Sequence, residues 1–173
     1  DPVRKGAADL IRKLHTAGIR TAVITGDQSL TAQYIGEQLN LSGDEPLRIL
    51  DAADLKRIDS QGIRSVVTRS HVFARLSPEQ KLHIIQAFQG AGMGVAMVGD
   101  GFNDVLALKS ADVGIAMGRA GVEHAKRAAD LVLEDDRLES VFEVVVNGRA
   151  FYDNIGTSLS FLFSGHCVNV FAE

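Results

Sequence analysis

Residues 95 to 108 read VAMVGDGFNDVLAL: an apolar run stops at Asp100, and Asp104 follows four positions later, before the chain turns apolar again. Gly99 and Gly101 remove side-chain bulk around the two carboxylates and let backbone approach closely. Hard oxygen donors of this kind suit magnesium, which takes one or two carboxylates, keeps several waters and accepts phosphate oxygens for the rest of its shell. The pair also permits a division of labour, with one carboxylate on the metal and the other holding a lysine ammonium by a charge-assisted hydrogen bond. An aspartate N-cap in a glycine-rich turn explains one carboxylate and leaves the second unexplained.

Two further stretches offer complementary groups. In ITGDQS, residues 24 to 29, Thr25 ends an apolar run, and Gly26 and Asp27 follow. A hydroxyl next to glycine lets side chain and backbone N–H groups turn toward an anion. Alone, the same letters describe an ordinary strand-to-helix turn. Lys81 lies in SPEQKLHII, in the first turn of an expected helix. A lysine there is by default a solvated charge, and it gains meaning only from what stands beside it.

The elements that must carry these loops are legible from periodicity. GAADLIRKLHTAG, with Ala8, Ile11, Leu14 and Ala17 in a stripe, predicts a helix ending at Gly18, and IRTAVIT after it a strand. SLTAQYIGEQLNL predicts a helix with Ser29 as N-cap and a stripe of Leu30, Ile35 and Leu39. Residues 42 to 70 hold only weak short elements. HVFAR then reads as a strand and SPEQKLHIIQAFQGAG as a helix, with Ser77 at the N-cap, Pro78 at the first helical position and Gly90 near the end. MGVAMVG (strand), FNDVLALKSA (helix), DVGIAM (strand), GVEHAKRAA (helix) and DLVL (strand) complete an alternation that predicts a parallel sheet with helices on both faces. Such sheets bind their ligands beyond the carboxyl ends of the strands.

From about Leu138 one long helical stretch follows, and residues 155 to 172 contain no Asp, Glu, Lys or Arg. That length reaches the lower limit for a membrane span. Its Ser, Gly, Thr, Asn and His residues suit a helix packed on a partner equally well.

Composition narrows the classes. The 173 residues make one domain-sized chain, and a formal charge of −4 gives nucleic acid no electrostatic footprint. Cys167 is the single cysteine, and the five histidines show no metal-ligand spacing, which fits a reducing, cytoplasmic setting. The start, DPVRKGAADL, has neither an initiator methionine nor an apolar leader and reads as a fragment.

TGD, then VFARLSPEQK, then GDGFNDVLAL, in that order and with DPVR before and GRAFYDNI after, resemble the latter part of the phosphorylation domain of P-type ATPases. These are ATP-driven cation pumps of the haloacid-dehalogenase superfamily, and the resemblance covers essentially the whole chain. It implies a three-layer α/β Rossmann-like sheet (HAD-like) and a phospho-aspartate cycle using Mg2+, with ATP as substrate of the intact pump. By the resemblance Thr25 would hydrogen-bond the phosphoryl group, Gly26 and Asp27 would line the nucleotide and phosphate side, and Lys81 would neutralise charge between nucleophile and phosphate. Asp100 would ligate magnesium, Asn103 would contact the phosphoryl group or its waters, and Asp104 would position Lys81 and support the metal shell. Asp1 and Arg4 would lie at the hinge toward a nucleotide-binding domain.

Departures from the pattern carry expectations too. The pumps' Asp-Lys-Thr-Gly-Thr nucleophile segment does not occur, nor do the nucleotide-binding domain and most membrane helices, so the chain alone is expected to be inactive. Leu106 stands where proline usually follows the motif. VFARLSPEQK and FYDNI resemble the calcium and sodium/potassium pump group more than the heavy-metal group. Gly156 and Thr157 follow YDNI where basic residues are usual, and Asn169 falls near a transport carboxylate, which leaves the cation open. The expected division is a core over residues 1–137 and a helix over 138–173 leading toward a membrane, on the cytoplasmic face of a membrane protein.

The missing strand would lie between those ending at Thr25 and Gly99. Roughly ten buried backbone groups without partners, at about 1–3 kcal/mol each, would match or exceed a domain's whole stability of about 5–15 kcal/mol. Direct pairing of the two flanking strands, or a strand from another chain such as a second copy, is therefore expected. A soluble phosphatase of the same superfamily, its last helix capping the sheet, and a non-catalytic scaffold module with a degenerate site are the alternative readings.

Overall fold

The computed structural model describes residues 3–4, 6–58 and 62–170, with side chains described through residue 155. Asp1, expected at a hinge, lies outside the described residues. The chain divides into two units, Asp1–Leu138 and Glu139–Glu173.

The first unit alternates helices and short parallel strands. Helix α1 (Ala7–Thr16) leads to β1 (Val23–Ile24), and α2 (Ser29–Gln38) to β2 (Ile49–Asp51). Two short helices, α3 (Ala52–Leu55) and α4 (Gly62–Val67), precede β3 (Val72–Ala74), which runs into α5 (Pro78–Gly90). Strand β4 (Ala96–Gly99) is followed by a 3-10 turn (Phe102–Asp104) and α6 (Val105–Ser110), then β5 (Val113–Met117), α7 (Glu123–Ala128) and β6 (Leu131–Leu133).

The strands form two three-stranded parallel sheets, ordered β1-β3-β2 and β4-β5-β6, where one continuous sheet was expected. Strands β1 and β4 do not pair with each other, so direct pairing of the two flanking strands is not how the gap closes. Each has one neighbour among the described residues, β3 for β1 and β5 for β4. The ladder on β1 is short: Val23 donates to His71 O and Thr25 to Phe73 O, and residues 19 to 22 of the expected strand stay outside it. In a strand successive N–H groups alternate in direction. The Ile24 amide therefore points to the open side.

Helix α5 packs under both sheets. Its Ile84, Ala87 and Phe88 join Leu50, Val67 and Phe73 in one cluster, while Ile85 joins Met97, Ala107, Leu108 and Ala125 in another. Ile24 and Val95 pack against both. Phe73 and Phe88 meet edge to face with centroids 5.9 Å apart, the arrangement that ring quadrupoles favour. The helix begins as its sequence requires: the Ser77 hydroxyl accepts from the Gln80 amide, the Gln80 side chain accepts from the Ser77 amide, and Pro78 needs no partner.

The first two helices keep their expected stripes only in part: Leu14 is buried, and Ile11 and Leu39 pack against the cluster of Ala32, Leu41, Val72 and Ala74. In α1, Leu10 and Leu14 are buried, and Ala8 is exposed. In α2, Leu30 is 79% exposed, while Ala32 and Gly36 are buried. A Cβ on Gly36 would stand 2.8 Å from Val72 Cγ2, so this helix approaches β3 through its small residues and a large one would hold it off. Gln28 takes the N-cap position, and Ser29, expected there, begins the helix and donates its hydroxyl to Asp51.

In the second unit, α8 runs Glu139–Val170. Among the described residues no helix is long and apolar enough to cross a membrane. The uncharged stretch at 155–172 extends past them.

Candidate active site

Thr25, Asp51 and Arg75 stand at or just past the carboxyl ends of β1, β2 and β3, and Asp100 just past that of β4. Parallel pairing puts the first three on one edge. Loop 25–27 is stitched to the segment leading into α5: Leu76 donates to Thr25 O, Arg75 donates to Asp27 O, and the Asp27 amide donates to Thr25 Oγ1 at 3.1 Å. Gly26 lies beside that segment, where a Cβ would sit 3.6 Å from Leu76 O. These bonds tie the loop after β1 to the segment that leads into the lysine's helix.

The closer of the two ion pairs described at this edge is between Lys81 and Asp104. Lys81 Nζ donates to Asp104 Oδ1 at 2.6 Å, and both residues are buried. Asp104 Oδ2 accepts from the Gly101 amide at 3.3 Å, closing a turn in which the Asp104 amide donates back to Gly101 O. Gly99 is required there: an added Cβ would lie 2.7 Å from Asp104 Cβ. Glycine at 99 lets the carboxylate fold back against β4, and the 3-10 turn aims it at α5.

Asp100 and Asn103 are exposed. The Asp100 carbonyl accepts from the Val122 amide, which anchors the backbone under a carboxylate left open to solvent. Among the described residues, no group of three or more His, Cys, Asp or Glu side chains is gathered as a metal nest. One exposed carboxylate beside a second that is buried and lysine-bound is a donor set that fits magnesium completing its shell with water and phosphate oxygens.

Arg4, expected at a hinge, donates to Asp136 O at 2.9 Å. That bond ties it to the connection between β6 and α8 and not to the Lys81–Asp104 pair.

Asp51 and Arg75 join this edge without a motif of their own in the sequence. Asp51 accepts from the Ser29 hydroxyl and the Ala53 amide, and these bonds hold its carboxyl below the usual range. Arg75 reaches Asp51 Oδ2 at 3.9 Å and adopts φ 58°, a left-handed conformation uncommon for a side chain of this size. The available signal was the short apolar run Ile49–Leu50 stopped by Asp51, the same grammar as Val98–Gly99–Asp100.

Comparisons with known proteins bear on the chain as a whole. A family described as haloacid dehalogenase-like hydrolase matches residues 1–112, and a second of the same description matches 82–145. Calcium-transporting ATPase 1 of Bacillus cereus is 44% identical over 164 residues, 95% of this chain and 18% of that protein. Calcium-transporting ATPase 1 of Schizosaccharomyces pombe is 41% identical over 170 residues, with 95% and 19% covered. The chain thus spans less than a fifth of the length of these relatives. Among solved structures, a zinc-transporting PIB-type ATPase in its E2.Pi state superposes with a TM-score of 0.70 at 28% identity, covering 91% of this chain and 21% of that one. The catalytic domain of the CPx-ATPase CopB-B gives 0.62 at 27% identity, covering 82% and 45%. On the ordered motifs, the edge they build and these matches, the chain belongs to the haloacid dehalogenase-like hydrolases and is a close relative of the P-type cation-transporting ATPases.

Proposed function

We propose that this chain is the magnesium- and phosphate-handling part of a P-type cation pump, acting on an aspartyl phosphate formed on a segment outside it. The observation that carries the reading is the buried Lys81–Asp104 contact at the carboxyl edge, beside exposed Asp100. An ammonium has three donors. Asp104 takes one, fixing the charge in place and leaving two for the nucleophile and the phosphoryl oxygens. Thr25, with its hydroxyl at the end of β1, hydrogen-bonds the phosphoryl group. Gly26 and Asp27 line the phosphate and nucleotide side, and Asn103 holds a phosphoryl oxygen or its water. Bound Mg2+ supplies charge neutralisation on phosphate oxygens, with Asp100 as its protein ligand. Positioning and fixed charge are what phosphoryl transfer through a loose transition state demands. Arg4 serves the hinge side, and the parent stands at the cytoplasmic face of a membrane. Calcium is the cation named for the two sequence relatives above, and it is the first to test for this chain's parent.

Asp100→Asn in the intact parent is expected to raise the magnesium concentration needed for half-maximal phosphoenzyme formation, with the thermal midpoint of the protein unchanged. A magnesium titration superimposable on that of the unmodified parent would remove Asp100 from the metal.

The open edges of β1 and β4 receive the nucleophile strand. Amide exchange checks this at one position: the Ile24 N–H is expected to exchange freely in the chain alone and slowly in the intact parent. Equal exchange in both would mean that no strand fills that side.

A further inference from the structure

The amino-terminal ends of β1, β2 and β3, opposite the candidate active site, border a cavity of about 720 Å³. Arg20 precedes β1, Arg48 precedes β2, His71 precedes β3 and Arg69 follows α4; all four line it, with Glu45 as the single carboxylate of the lining. Three guanidiniums against one carboxylate is a local reversal of sign in a chain of net charge −4.

Part of this charge has a structural use. Helices α1, α2 and α4 end on this side, and the partial negative charge of helix C-termini attracts cations. Arg20 serves that purpose: it donates to Thr68 O and Ser70 O, just past α4, and lies over the Phe88 ring at 5.9 Å. Arg48 and Arg69 do not. Both are exposed, and among the described residues no hydrogen-bond or ion-pair partner is recorded for either guanidinium. His71 is buried, and its Nδ1 accepts from the Arg48 amide at 3.2 Å, so the neutral ring carries its proton on Nε2 as a donor. Burial, and then the charge of Arg20, hold its pKa below the usual histidine value, which favours the neutral ring.

We propose that this cavity binds a polyanion of pyrophosphate size, held by the Arg48 and Arg69 guanidiniums, the Arg20 N–H groups not given to carbonyls, and His71 Nε2–H. The volume is in the range of about 300–1,000 Å³ usual for small-ligand sites. No Phe, Tyr or Trp lines it, and what the lining offers a ligand is chiefly positive charge and N–H donors, so the phosphate chain is what is recognised. The same chemistry, several phosphate oxyanions within reach of one cluster of cations, is offered by a free polyphosphate and by the clustered phosphodiesters of an anionic lipid surface. The site is separate from the phosphoryl-transfer edge and does not depend on that reading.

Pyrophosphate titrated into the isotope-labelled chain in the presence of a magnesium chelator, followed by amide NMR, tests the site residue by residue. The amides of Gly43, Arg48, Arg69 and His71 are expected to shift together and saturate. Arg48→Gln with Arg69→Gln should weaken binding by about tenfold or more, through loss of two charge-assisted contacts, and Glu45→Gln should tighten it. Co-sedimentation with phosphatidylglycerol vesicles, absent with phosphatidylcholine and abolished in the double variant, assigns the ligand to an anionic lipid surface; pyrophosphate binding without co-sedimentation assigns it to a free polyphosphate. Shifts confined to Thr25, Gly26 and Gly101, an unaltered affinity in the double variant, or binding of neither probe would overturn the proposal.

Discussion

Lys81→Ala is expected to lower the stability of the chain by about 3–5 kcal/mol, because it leaves the Asp104 carboxylate buried and unpaired. That is a large share of the roughly 5–15 kcal/mol that holds a domain together. The side chains of Lys81 and Asp104 are only 9% and 12% exposed, so solvent does little to screen the loss. Urea unfolding monitored by circular dichroism gives the measurement, and Asp104→Ala should fall in the same range. Lys81→Met combined with Asp104→Leu should recover most of the loss, since it removes both desolvation penalties at once. In the intact parent, Lys81→Ala is further expected to slow phosphoenzyme turnover by about 10²–10³, the usual cost of one lost electrostatic stabiliser. The apolar double variant separates the two effects: it should be folded and still slow. An unshifted urea midpoint for the single variant would show the carboxylate to be hydrated, and full turnover would take the lysine out of the chemistry.

The second large effect is a contrast between two glycines that look alike in the sequence. Gly99→Ala would place a methyl 2.7 Å from Asp104 Cβ and 3.0 Å from its Cγ. Cβ is fixed to the backbone, so relief requires moving the turn, and a cost of about 1–3 kcal/mol is expected, with Asp104 drawn off Lys81. Gly101 has φ −103° and ψ 166°, which any residue adopts, and its added Cβ would meet nothing closer than 3.6 Å. Gly101→Ala should therefore change stability by no more than about 0.5 kcal/mol. Paired urea melts decide it. Equal damage from both substitutions would mean that the close approach at Gly99 is not what holds the carboxylate in place.

These glycines mark the boundary between what could be read locally and what could not. The sequence showed that Asp100 and Asp104 flank a glycine-rich turn between a buried strand and a helix, because apolar runs and their interruption are written in consecutive letters. It also marked the start of α5, since Ser77, Pro78 and Gln80 satisfy their own backbone groups without help from elsewhere. The alternation of helices with short parallel strands, and the order of the three loops, were legible for the same reason.

Burial on α1 and α2 was legible only in part: Leu14 and Leu39 face the core as their spacing implies, and Leu30 does not. Ala32 and Gly36 displace Leu30 from the core because α2 must approach β3 closely, and the distance between two elements is a property of neither one's periodicity. Strand β2 lies in the weakly patterned stretch from 42 to 70 and was not legible there, and with it went Asp51 and the bond that the Ser29 hydroxyl makes to it. Whether the strands would make one sheet or two was also a tertiary matter. An edge strand and a central strand can share the same composition, and only hydrogen bonds to a partner distinguish them. By itself the sequence determined the chemistry available at the carboxyl edge: a hydroxyl, an ammonium and two carboxylates on named loops. Only the folded chain decided that the ammonium is buried against Asp104 while Asp100 stays open to solvent, because burial and pairing depend on which surfaces the rest of the chain brings over each loop.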